Sequence, residues 1–167
     1  MPSSELDRRQ ALQSQLVLSQ PPGMEAVTYL QLSSGAPLPP LSGQRPFRAI
    51  ILIEQSVTSS WQSIVSDWLV QSGCLFMMAW GIDCSSWDDS VDCANLSAFN
   101  FGEIPDESLV MTTWHEGETI SEVLWFAKNH ARHPAVTLEH TVIIHVAANE
   151  RKAELLLEYQ AANETAF

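Results

Sequence analysis

The chain is short of positive charge: 8 Lys and Arg stand against 20 Asp and Glu, for a net charge of −12. Between Arg48 and Lys128 neither Lys nor Arg occurs, although acidic residues are frequent there. Phosphate backbones are held by clustered cations, so direct binding of nucleic acid is disfavoured. The acidic stretch fits a solubilising surface, or a protein partner with a basic surface. Cysteine is also scarce. Cys74, Cys84 and Cys93 are an odd number with no CxxC spacing, which argues against a disulfide framework and fits a reducing cytoplasm. Long apolar runs are missing: 49–53 and 75–80 are far too short to span a bilayer. No basic segment leading into an apolar one opens the chain, so no signal peptide and no membrane association are expected. HExxH, Gx(4)GK[ST] and GxSxG do not occur, which removes the motifs of zincins, P-loop proteins and α/β-hydrolases.

What is present divides into two textures. Residues 4–19 read as a short helix, with Leu12, Leu16 and Val17 on one side. Residues 27–32 carry the β-prone bulk of a strand. Residues 33–46, with Pro37, Pro39, Pro40 and Pro46 beside Gly35 and Gly43, can hold neither helix nor ladder. These features make 1–46 an N-terminal arm and Pro-rich linker, and 47–167 an α/β domain.

From Phe47 onward, strands alternate with helices. Residues 49–53 form a continuous apolar run, the mark of a strand covered on both faces. Ser59 and Gln62 are spaced as a capping box for the following helix, whose stripe is Trp61, Ile64, Val65, Trp68 and Leu69. Gly73 ends that helix. The unit recurs with strands at 75–80, 109–114 and 141–147. Ser86 with Asp89, Thr119 with Glu122, and Asn149 are the cap signals of the helices that follow. Such alternation predicts a three-layer α/β/α sandwich on a mostly parallel sheet of four to five strands. There is no accompanying sequence repeat, so a solenoid is excluded.

Open α/β sheets take ligands at the carboxyl ends of their strands. That edge collects Glu54, Gln55, Ser56 and Thr58; then Trp80, Asp83 and Cys84; then Trp114, His115 and Glu116; then Asn149 and Glu150. His115, Glu116, Asp83 and Glu54 are the catalytic candidates, since an imidazole beside carboxylates can act as a general base or join them on a divalent metal. A strand end with its polar residues in water accounts for the same four residues. His145, inside a strand, is expected to be a buried, hydrogen-bonded core residue. His130 and His133 suit a helix C-terminus, and no metal centre is assigned. Trp61, Trp68 and Trp125 read as packing, while Trp80, Trp87 and Trp114 stand near strand ends, where indoles can stack on a flat ligand.

The hydroxyl-rich turn Ser56-Val57-Thr58-Ser59-Ser60 is similar to the phosphate-binding loop of flavodoxins. It differs at Ser59, where that family has Gly, and at Trp61, where the closing Thr stands. The likeness implies a flavodoxin-like or Rossmann-like fold. It would make Ser56, Thr58, Ser59, Trp80 and Trp114 cofactor-binding candidates for a cofactor that is not identified. Two functions are thus expected from different classes. One is a small acidic cytoplasmic accessory or protein-interaction domain without catalysis. The other is a nucleotide or flavin binder, or a metal-assisted hydrolase, working at the carboxyl edge.

Overall fold

The elements run β1 (Ala26–Leu32), β2 (Phe47–Ile53), α1 (Ser59–Ser72), β3 (Cys74–Gly81), α2 (Cys84–Ala98), β4 (Met111–Trp114), α3 (Ile120–Asn129), β5 (His140–Val146) and α4 (Lys152–Ala161). A single 3-10 turn, Asp106–Ser108, precedes β4. This computed structural model describes residues 25–41 and 43–162. The helix expected at 4–19 lies outside them.

The five strands form one sheet in the order β1-β5-β2-β3-β4, and every neighbouring pair is parallel. The three-layer α/β/α sandwich is therefore present. Numbered cyclically from β5, the order reads 2-1-3-4-5, as in flavodoxins; numbered from β2 and read from the other edge, it is the 3-2-1-4-5 of Rossmann sheets. The chain's own order is neither. Strand order reverses between β2 and β5, which places the topological switch point there.

Parallel strands covered on both faces read as continuous apolar runs. All seven residues of β2 are buried. Alternation sends Ala49, Ile51 and Ile53 to one face, under Trp61, Val65 and Leu69 of α1 and Trp87 and Val91 of α2. Ile50 and Leu52 go to the other, under Val123, Leu124 and Ala127 of α3 and Leu155 and Tyr159 of α4. Trp87 is thus core rather than a ligand-facing indole.

Helix α1 is rotated from its expected stripe. Ile64 is 56% exposed, whereas Ser66 is buried and its hydroxyl meets that of Ser90 on α2 at 2.7 Å. The cause is lateral packing: α1 is flanked by α2 on one side and by the Pro-rich segment on the other. Its N-cap is Thr58 rather than Ser59, the Thr58 hydroxyl accepting from the Trp61 amide. Gln62 donates instead to Ser86. Gly73 ends α1 at φ 99°, as expected. The capping box of Thr119 and Glu122 is also formed. Helix α2 starts before Ser86, behind Asp83, which holds φ 50° and caps with no side-chain hydrogen bond. Helix α4 starts behind Arg151, not Asn149.

Residues 33–41 and 43–46 are not a free linker. They make the β1-to-β2 crossover, lying over α1 as a strap in the place a helix would occupy. The Trp61 indole N–H donates to Ala36 O at 3.0 Å and that of Trp68 to Pro39 O at 2.9 Å, while Leu38 and Leu41 pack on the core. A boundary at Phe47 would also separate β1 from β5, the strand it pairs with along its whole length. Glu25, just before β1, forms an ion pair with the buried Arg48 guanidinium of β2. Arg48 donates further to Ala131 O, Leu138 O and the Thr141 hydroxyl, and the Tyr159 hydroxyl donates to Glu25 at 2.6 Å. Burial and the adjacent Glu25 charge raise the Tyr159 pKa, so it remains a phenol. The part of 1–46 from Glu25 onward is therefore built into the sheet and its cover.

Candidate functional site

The carboxyl end of the sheet brings together Glu54 beyond β2, His145 of β5, Tyr29 of β1 and Arg151 before α4. His145 and Tyr29 stand on one face by strand alternation, and His145 is fully buried. Its Nε2 lies 2.6 Å from Glu54 Oε1 and its Nδ1 2.7 Å from the Tyr29 hydroxyl. An ionised carboxylate only accepts, so Nε2 carries the proton, and in the neutral ring Nδ1 accepts from the Tyr29 O–H. The Tyr29 oxygen accepts in turn from the Arg151 amide at 2.9 Å. The Arg151 guanidinium bridges Glu54 at 3.0 Å and Glu154 at 2.6 Å, which keeps the Glu154 carboxyl below its ordinary range.

The sequence of hydroxyl, imidazole and carboxylate resembles an activated nucleophile on paper. Burial raises the Tyr29 pKa, however, so the phenol stays protonated and ties β1, β5 and the start of α4 together. Of this network, the sequence pattern reaches only Glu54 as a site candidate. Tyr29 and His145 are 116 residues apart in sequence, so no local pattern joins them.

His115 is not a solvated rim residue. It is 5% exposed, with Nδ1 2.7 Å from Glu118 Oε2, Nε2 2.9 Å from the Thr113 hydroxyl, and its ring edge-on to Phe126. Glu116 and Asp83 are exposed. Among the described residues, no group of three or more His, Cys, Asp or Glu side chains is placed to hold a metal ion. The grouping of His115, Asp83 and Glu54 on a metal is therefore not formed. We expect His115→Ala to lower stability by ~1–3 kcal/mol, because the buried ring loses its packing against Phe126 together with its hydrogen bonds to Thr113 and Glu118. Asp83→Asn is expected to change stability by less than about 0.5 kcal/mol, as exposed substitutions do. Thermal melts of the two variants check this; equal melting temperatures would contradict it.

The turn at 56–60 is committed to the scaffold. The Thr58 hydroxyl caps α1 and meets that of Ser60, Ser56 O accepts from Ser34 of the strap, and Ser59 is exposed. The Trp80 indole donates to Glu118 O at 2.7 Å, whereas Trp114 is 50% exposed. Cys84 is buried in the core. Burial pushes the Cys74 thiol up to about 12 and makes it a poor nucleophile. His133, beyond α3, is buried: its Nδ1 accepts from the amides of Ala135 and Val136, which leaves Nε2 to donate to Leu109 O.

Residues 27–162 match a family described as Domain of unknown function (DUF7684). The chain belongs to that family. The DUF7684 segment opens within β1 and closes just past α4, so it includes the strap. No curated protein matches the sequence. One solved structure, entitled "Crystal structure of an hypothetical protein", is similar to the DUF7684 chain at 9% identity and a TM-score of 0.43 over 70% of this chain and 72% of that one. Among the described residues, no helix is long and apolar enough to cross a membrane.

Proposed function

We propose that this domain is a non-catalytic interaction module, which binds a protein segment carrying positive charge and an apolar anchor at the carboxyl edge of β3 and β4. The reading rests on how that edge uses its side chains. Both ring nitrogens of His115 and of His145 are hydrogen-bonded within the fold, while the apolar Trp114 and Ile82, 50% and 41% exposed, stand at the carboxyl ends of adjacent strands. The acids beside these two, Asp83 and Glu116, are exposed. An aromatic anchor accompanied by charge of one sign suits a partner of the opposite sign. The absence of Lys and Arg from 49–127 leaves nothing in that stretch to repel it.

The test is fluorescence anisotropy with a labelled peptide of alternating Lys and Leu, set against the same peptide with Glu for Lys. Only the basic peptide should bind, less tightly as salt rises. Trp114→Ala should weaken binding about thirtyfold, the ~2 kcal/mol of a hot-spot aromatic. Binding that is indifferent to Trp114 would reduce the interaction to net charge and overturn the proposal.

A further inference from the structure

A mainly apolar concavity lies at the opposite end of the sheet. A cavity of about 440 Å³ opens between the C-terminal ends of α1 and α2 and the amino ends of β2 and β3. Its walls are mainly apolar, with Val70, Leu75, Phe99 and Val110 among them, and two charged side chains, Arg45 and Glu107, also line it. The size falls within the range of small-molecule sites, and so does the pattern of an apolar body with few polar groups. The 3-10 turn forming one wall is held in place by the buried Asn95, whose amide donates to Ser108 O at 3.1 Å and whose carbonyl accepts from the Val110 amide at 3.0 Å.

The electrostatics of the cavity are asymmetric. Two helices point their C-terminal, partially negative ends toward it, and neither α1 nor α2 has a basic residue in its last turn. Arg45 already serves α1: its guanidinium donates to Gln71 O and its side chain lies over Gly73. The end of α2 has no such cation from the stretch 49–127, and Glu107 adds a full negative charge nearby.

We infer that this cavity is a binding site for a small organic cation, an apolar body with one ammonium-type end, the body lying against Phe99 and Val110 and the charge facing Glu107 and the end of α2. The site is remote from the carboxyl edge and does not depend on the interaction proposed there.

The experiment titrates the full chain with n-octylamine, n-octanol and n-octanoate by calorimetry, alongside amide chemical-shift mapping. Octylamine should bind saturably, roughly fivefold or more tighter than octanoate, the ratio that a helix terminus and one nearby charge supply. The shifts should centre on Val70, Leu75, Phe99 and Val110. Glu107→Gln should reduce the preference for the amine while leaving octanol unchanged. Ala98→Trp, which adds bulk at the exposed rim without altering charge, should abolish binding of all three. If Ala98→Trp melts early, the shift map on the unaltered chain decides the matter. Shifts scattered over the acidic surface, no saturable binding, or equal affinity for amine and carboxylate would each overturn the assignment.

Discussion

A chain shortened to begin at Phe47 is expected to lose its cooperative thermal transition and to be recovered mainly as aggregate. Three losses act together. Removing β1 uncovers the whole length of β5, leaving a row of unpaired backbone groups on a largely apolar strand. Removing the strap takes away the acceptors of the Trp61 and Trp68 indoles and the cover supplied by Leu38 and Leu41. Removing Glu25 leaves Arg48 as a buried guanidinium without its carboxylate, a change that by itself costs ~3–5 kcal/mol. Domains of this kind are stable by only ~5–15 kcal/mol, so the sum exceeds what the fold can lose. Glu25→Gln in the full chain isolates the ionic part and should lower the melting temperature clearly without abolishing the transition. A shortened chain with a sharp melt, read by circular dichroism, would show that β1 and the strap are accessory.

Gly81→Ala is expected to destabilise by ~3–5 kcal/mol, at the top of the range for a single substitution. Gly81 ends β3 at φ 104°, a region that residues with a Cβ rarely enter. A Cβ there would collide with the carbonyl oxygen of Ile53, the last residue of β2. That oxygen accepts the Ile82 amide at 2.9 Å, so neither strand end can retreat without breaking the hydrogen bond that joins them. Chemical denaturation gives the magnitude. A cost below about 1 kcal/mol would mean that the two strand ends separate freely. Gly73→Ala is a gentler comparison, since the added carbon meets the flexible Arg45 side chain instead of backbone.

Local features were legible in the sequence and non-local ones were not. Four strands and the four helices following them could be read from apolar runs and caps, because those signals are written within a dozen residues. The box of Thr119 and Glu122 and the stop at Gly73 are of this kind. Ser59, Ser86 and Asn149 misled because a hydroxyl or amide three residues before a polar partner is common, and only the chain's path decides which one caps. The strap reads as a linker because proline excludes ladders, yet its hold on α1 is through indole N–H groups and its own carbonyls, which composition does not reveal. His115 stands beyond a strand end, as expected, but Phe126 and Glu118 of the next unit fold over it. His145 was legible as a buried, hydrogen-bonded histidine; its partners Tyr29 and Glu54 were not, since the strand order that joins them was not.

The placement of β1 sets an order in time. Among the described residues it is the first strand along the chain, yet its neighbour in the sheet is β5, the last of them. Residues such as Tyr29 and His145, 116 positions apart, cannot meet until nearly the whole domain has left the ribosome. The β-prone segment Ala26–Leu32 must wait unpaired through that interval, and closing so long a loop makes its docking a late step. Proteins whose first strand is claimed last are exposed to capture by other chains while they wait. For this domain, the nascent state rather than the finished fold is the one most dependent on protection.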